Sequence, residues 1–199
     1  MAAINAEMIK ELRVRTNAGI MDCKGALQEA GGDLEKAVDF LRKKGLATAL
    51  KRAGRETSEG AVNSYIHAGG RIGVLVEVNC ETDFVAKTDE FRDLVKNLAM
   101  HIAATKPLGI GRQDIPEEIL GREEEIYREQ AREMGKPEKI LDKIVQGKME
   151  KFYKESCLLE QQYVKDTELT IQELIHETVG KTGENITVKR FVRYQLGGE

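Results

Sequence analysis

An α+β fold is what this 199-residue sequence predicts: a small N-terminal three-helix unit, then an antiparallel sheet with packed helices and a helical hairpin. Three patterns predict it. Residues 1–45 hold three short runs with apolar residues three and four apart, divided by glycine-bearing breaks. Residues 62–78 alternate on either side of Gly69-Gly70, as the two strands of a hairpin do. Helical spacing then returns for most of the chain, and one more strand-like run closes it. Strands grouped beside helices make an α+β core, not a parallel sheet. The expected units are a helical domain over 1–45, a linker over 46–59 and a core domain over 60–199.

In the first unit, Met8, Ile9 and Leu12 form the stripe of one helix, and Ala26, Leu27 and Ala30 that of the second. Leu34, Ala37, Val38 and Leu41 serve the third. Asn17-Ala18-Gly19 and Gly31-Gly32 separate them. Asp22 and Asp33 are candidate N-caps, because a carboxylate accepts from the unpaired N–H groups of a first turn. Gly25 falls inside the second helix, at a cost of about 1 kcal/mol relative to Ala. So small a unit is marginal alone and offers little surface for chemistry; docking is its natural role. Residues 46–59 read as a helix end and a linker. Lys51, Arg52 and Arg55, with Arg42, Lys43 and Lys44, make the most basic stretch of the chain. A nucleic-acid interface would begin there. No aromatic platform accompanies the charges, so a solvated face is the expected use.

Val62, Ser64 and Ile66 alternate with Asn63, Tyr65 and His67 in the outgoing strand. The return strand puts Ile72, Val74, Val76 and Val78 on one face and Leu75 on the other. A short polar turn follows and ends in Asp83 and Phe84. Phe84 either folds back into the core or is held out for a partner. The next helix runs from about Thr88 to Thr105, with Phe91, Leu94, Val95, Leu98 and Ile102 as its stripe. Thr88 can cap it, and Asp89 and Glu90 suit the positive end of its dipole. His101 flanks the stripe, where a half-buried packing role is the ordinary one.

Pro107 and Pro116 bracket a loop. Residues 117–134 read as a solvated helix, with Glu124 and Arg128 a favourable i,i+4 pair. After Gly135-Lys136-Pro137 a second helix runs to about Lys154, with Leu141, Ile144, Val145, Met149, Phe152 and Tyr153 inward. The two form an antiparallel hairpin. A capping box from Thr170 to Glu173 opens a helix with Ile171, Leu174, Ile175 and Val179 inward, and Gly180 ends it. Ile186, Val188, Val192, Tyr194 and Leu196 mark a last strand, expected to join the hairpin as its third member.

Charged residues at 33% and hydrophobic ones at 41% suit a globular protein rich in exposed helix. No apolar run approaches the roughly 18 residues that span a bilayer, and no signal peptide is expected at the start. Cys23, Cys80 and Cys157 are odd in number and far apart, which argues for free thiols in a reducing cytoplasm. The net charge of -3 weighs against a nucleic-acid binder. No phosphate-cradling glycine loop, nucleophile elbow or metal-ligand spacing occurs. The chain is therefore not expected to be an enzyme, nor to hold a cofactor or metal.

The run Glu77, Val78, Asn79, Cys80, Glu81, Thr82, Asp83, Phe84, Val85, Ala86, Lys87 resembles a signature of the bacterial elongation factor Ts family over its whole length. Leu12, Arg13, the run from Thr16 to Lys24, Ala26 and Leu27 resemble a second. The stretches 100–107 and 158–165 are similar to the family too. The resemblance implies a guanine nucleotide exchange factor for elongation factor Tu, working in the cytoplasm during protein synthesis. Thr82, Asp83, Phe84 and Val85 would meet the partner and dislodge its magnesium ion. Ile20, Met21 and Lys24, in a three-helix unit similar to ubiquitin-associated domains, would grip a second patch; on residue type alone Ile20 and Met21 serve equally as caps of the bundle. His101 would be a further contact. Gly25 departs from the family, which commonly has a basic residue there. Longer members carry two related halves and this chain one, which implies a homodimer binding two Tu molecules. The last strand and its helix are the expected interface. The alternatives are an adaptor that docks through the helical unit, an RNA binder using 43–55, and a catalyst of unknown type for which no motif speaks.

Overall fold

The computed structural model describes residues 4–16, 18–135 and 137–198. Asn17 and Lys136, each part of an expected break between helices, lie outside the described residues. Two compact units divide the chain. The first gathers Met1–Asn63, Val76–Asn97 and Glu173–Lys189, and the second Ser64–Leu75, Leu98–Gln172 and Arg190–Glu199.

The apolar spacing of the N-terminus becomes α1 (Ala6–Thr16), α2 (Ile20–Glu29) and α3 (Leu34–Arg52). Leu12, Cys23, Ala26, Leu27 and Ala37 are wholly buried between them, with Met8, Ile9, Leu34, Val38 and Leu41 packed around. Asp33 caps α3, its Oδ1 accepting from the Lys36 N–H at 3.1 Å. Asp22 does not cap α2, contrary to expectation. That helix starts three residues earlier, from Gly19, and Asp22 lies in its first turn and binds Lys44 Nζ at 2.7 Å. There its charge meets the positive end of the helix instead.

The hairpin is β1 (Glu59–Ile66) and β2 (Ile72–Cys80), turned by Gly69 and Gly70 at positive φ, which residues with a Cβ adopt only under strain. β5 (Ile186–Gln195) is the third strand, and the order is β1-β2-β5. Val74, Val76, Val78 and Cys80 are buried on one face of β2. The other face is bare of cover in the second unit. Ile66 lies 3.1 Å from where a Cβ on Gly73 would stand, so it shares a side with Gly73 and Leu75. Arg193 donates to the Ala103 carbonyl, which turns Val192 and Tyr194 the opposite way. Ile66, Leu75, Val192 and Tyr194 are all exposed.

Beyond the sheet come α4 (Asp83–Ala86) and α5 (Asp89–Thr105). The whole α5 stripe is buried, and Thr88 Oγ1 accepts from the Phe91 N–H at its start. In the second unit α6 (Glu117–Glu133) and α7 (Glu138–Ser156) pack as a hairpin, linked by Arg128 to Asp142 at 2.8 Å and Lys148 to Gln130 at 2.6 Å. The loop before α6 is clamped by Arg112, which grips Glu150 and Glu160 and stacks over Tyr153 at 4.4 Å. The sequence reading missed a small hairpin, β3 (Gln162–Tyr163) with β4 (Asp166–Thr170).

Gly180 does not end the following helix, α8 (Ile171–Thr182). A Cβ on Gly180 would come within 2.8 Å of Gly45 Cα, so this glycine lets α8 cross α3 at backbone contact. The helix ends at Gly183, at φ +74, whose N–H donates to the Val179 carbonyl at 2.8 Å. Gly180→Ala should lower the free energy of unfolding by about 1–3 kcal/mol, the usual penalty of overpacking. Gly25→Ala, with open space around its new Cβ, should raise it by up to about 1 kcal/mol. Urea midpoints at unchanged slope measure both.

Candidate partner-binding site

At the end of β2 the chain leaves the sheet at Cys80 and enters α4 three residues later, at Asp83. Thr82, in extended conformation, is the N-cap of that single turn, and its Oγ1 accepts from the Val85 N–H at 3.4 Å. A helical turn of four residues cannot hold itself, since its nucleus fixes several dihedrals for one hydrogen bond. Its stability is imported. Both oxygens of the Glu184 carboxylate accept from Thr82, one from the N–H at 3.0 Å and one from the hydroxyl at 2.7 Å. The neighbouring Glu81 carboxylate accepts from the Asn185 N–H at 2.7 Å and from Arg55 at 3.2 Å, with Arg52 at 3.6 Å. Asn185 Nδ2 closes the bracket on the Arg55 carbonyl at 2.8 Å. The Asn185 N–H, then the arginines, hold the Glu81 carboxyl below the ordinary carboxylate range.

The four expected residues thus stand together with separate environments. Val85 is buried, at 8% exposure, and Phe84 next to it is 80% exposed. Asp83 faces solvent and pairs with Lys87 Nζ at 2.6 Å, which holds its carboxyl below the usual range. The expected polar turn is a short helix, and of the two directions open to Phe84 it takes the outward one. In the bundle, Ile20 and Met21 stand exposed at the start of α2, outside its buried set, and Lys24 is exposed one turn on. Val14, near the end of α1, is exposed as well.

His101 differs from its implied role as a contact. It is wholly buried in the second unit, where Nε2 bonds Gln161 Oε1 at 3.0 Å and Nδ1 accepts from the Val164 N–H at 3.4 Å. Burial pushes its pKa down, and it offers no surface. The basic stretch is exposed at Arg42, Lys43, Lys44, Lys51 and Arg55, and several of its charges are paired. Arg42 pairs with Glu177, Lys44 with Asp22, and Arg52 and Arg55 with Glu81. These pairs tie a face that is solvated, as expected, to the rest of the first unit. All three cysteines are free and buried, and burial pushes the Cys80 and Cys157 thiols up to about 11. Glu184 and Asn185 escaped the sequence reading; their one signal was a charged and an amide residue set after Gly183 between a helix and a strand. Among the described residues no three His, Cys, Asp or Glu side chains converge as metal ligands, and no helix is long and apolar enough to cross a membrane.

The arrangement holds an exposed phenyl ring beside an ion-paired carboxylate on a turn stapled by Glu184. The family model described as Elongation factor TS matches residues 28–198. Elongation factor Ts of Desulfosudis oleivorans is 62% identical over 197 residues, covering 99% of this chain and 100% of the relative. That of Moorella thermoacetica is 62% identical over 194 residues, covering 98% and 96%, and that of Geobacter metallireducens 60% over 195, covering 98% and 90%. The class so defined is that of the translation elongation factors. Within it, this chain belongs to the elongation factor Ts family.

The Glu81 contacts carry a pH signature. A carboxylate whose folded pKa is depressed contributes stability above its unfolded value, about 4.3, and loses it as pH falls through the folded value. Glu81→Gln should therefore lower the unfolding temperature at pH 7, and the gap to the parent protein should shrink below about pH 4.3. Thermal unfolding followed by circular dichroism at pH 7 and at acid pH measures it.

Proposed function

We propose that this chain is a guanine nucleotide exchange factor for elongation factor Tu, acting in the cytoplasm in the elongation phase of protein synthesis. Family membership supports the partner, and the 80% exposure of Phe84 on its bracketed turn is the observation that carries the mechanism. Linkage sets the requirement. A protein that binds the nucleotide-free partner better than the GDP form weakens GDP by the same factor. Equal affinity for both would shift nothing. Something must therefore meet the nucleotide site differentially. Phe84 enters between partner side chains, and the displaced groups lose their hold on the partner's magnesium ion. That ion neutralises phosphate charge, so GDP loosens and the empty form is held until GTP enters. Asp83 orients the approach beside the ion, Thr82 shapes the turn and Val85 anchors it.

Residues 1–45, a docking unit of ubiquitin-associated type, grip a second patch through Ile20, Met21 and Lys24. No bond is made or broken by this chain, and it needs no cofactor. The RNA-binding alternative loses support from the ion pairs that occupy Arg42, Lys44, Arg52 and Arg55. Release of a fluorescent GDP analogue from Tu at fixed magnesium tests the reading. The parent protein should accelerate release, and Phe84→Ala should slow it while the complex still forms. Acceleration by neither, with Tu competent, would sink it.

Two copies pair through the open sheet face of the second unit, giving a complex with two Tu molecules. Ile66, Leu75, Val192 and Tyr194 supply its apolar area, and a symmetric pair is the simplest way to cover such a patch. The last strand keeps its expected part here. Its preceding helix does not, because Ile171, Ile175 and Val179 of α8 are already buried. Leu75→Glu should shift the mass seen by sedimentation from dimer to monomer; a monomeric parent protein would refute the pairing.

A further inference from the structure

Glu184 lies 102 residues from Thr82 in sequence, yet both of its carboxylate oxygens are spent on that one residue. The geometry leaves little freedom. Thr82 Oγ1 has a single proton and directs it at Glu184 Oε1, 2.7 Å away. Its lone pairs are then the only means of receiving the Val85 N–H, and they do so at 3.4 Å. Glu184 thereby fixes both the rotamer of the cap and the direction of its hydrogen bond. The second oxygen holds the Thr82 N–H, so the clamp has two points and resists rotation. Gly183 at positive φ and Asn185 on Glu81 fix Glu184 itself from either side. Backbone bonds at α4 include the Ala86 N–H to the Thr82 carbonyl at 3.3 Å, the Lys87 N–H to that of Phe84 at 3.2 Å and the Thr88 N–H to that of Val85 at 3.0 Å. The first of these is made to Thr82 itself.

We infer that Glu184 is a positioning residue for Phe84: by clamping Thr82 it sets the direction in which the exposed ring is presented, and so the efficiency with which the turn loosens nucleotide. The inference rests on the exchange reading above. It asks more of the bracket than stability, because the clamp acts on the cap of the very turn that carries the wedge.

The test uses the full chain with Tu and the fluorescent GDP analogue, and Glu184→Gln as the main variant. Glutamine keeps the length but offers one acceptor where two donors need one each. The maximal release rate at saturating protein should fall about tenfold, the factor expected when one charge-assisted hydrogen bond is lost. The concentration giving half that rate should change little, because the α2 contacts are untouched. Thr82→Val should match this loss, and the double variant should be no worse than either. In a Phe84→Ala background, Glu184→Gln should add nothing. Equal loss with and without the Phe84 ring would overturn the inference, as would an unchanged rate in Glu184→Gln. Amide hydrogen exchange on the protein alone gives an independent reading. The Val85 and Ala86 amides should exchange faster in Glu184→Gln while those of α5 stay protected. Unchanged protection of Val85 and Ala86 would overturn the positioning role even if the parent protein failed to accelerate GDP release from Tu, which is the separate failure of the exchange reading.

Discussion

A phenylalanine held in water has no packing to orient it, so its direction must come entirely from its backbone. That constraint organises the first unit. The four residues of α4 cannot supply the rigidity themselves. It comes from Val85 below, from the Thr82 cap, and from two adjacent carboxylates, Glu81 and Glu184, reaching across the chain. Each support depends in turn on a helix placed elsewhere. Gly45 and Gly180 let α3 and α8 touch at the backbone. The end of α8 then delivers Glu184 and Asn185, and the end of α3 delivers Arg52 and Arg55. Removing either glycine's freedom of approach would move the corner that holds the turn.

Most of this frame was legible in the sequence because local spacing carries it. The stripes of α1 to α3 and α5, the hairpin with its double glycine, and the last strand follow from periods of 3.6 and 2. What failed were features decided by tertiary contact. Asp22 reads as a cap as well as Asp33 does, and only the actual start of α2 separates them. Gly180 reads as a helix terminator, yet its purpose is a neighbour 135 residues away in sequence. The basic stretch is as solvated as its composition suggests, but the pairing of Arg52 and Arg55 with Glu81 has no local signature. The β3-β4 hairpin is too short for periodicity to register. Asp83 and Phe84 stood out by residue type, Thr82 and Val85 only through the family resemblance, and the direction of Phe84 was undecided on residue type. It is settled by Glu184, which the sequence places far from it.

On the proposed function, two kinds of surface divide the work. Residues such as Met21 contact the partner in every nucleotide state, so they raise affinity without favouring exchange. Only a group whose contacts differ between the GDP and empty states couples binding to release. Such a group must be rigid before it meets its target, since freezing a loose side chain and turn on contact would consume part of the coupling energy. The staples on Thr82 are ordering already completed during folding.

Exposure of Phe84 also has a free-energy meaning. Burying a phenylalanine side chain is worth about 1.5–3 kcal/mol, and this fold forgoes that gain for the ring while taking it for Val85 beside it. One residue of the turn stabilises the chain; the next keeps its apolar surface in water, where any apolar slot in a partner can claim it. The amount is comparable to a typical coupling energy of about 1–3 kcal/mol. A wedge of this size can therefore supply much of the coupling that exchange requires, provided the slot it fills exists in the empty partner and is closed in the GDP form. The rigidity of the bracket matters for the same reason: a ring free to swing would find apolar cover in either state, and the difference between them would vanish.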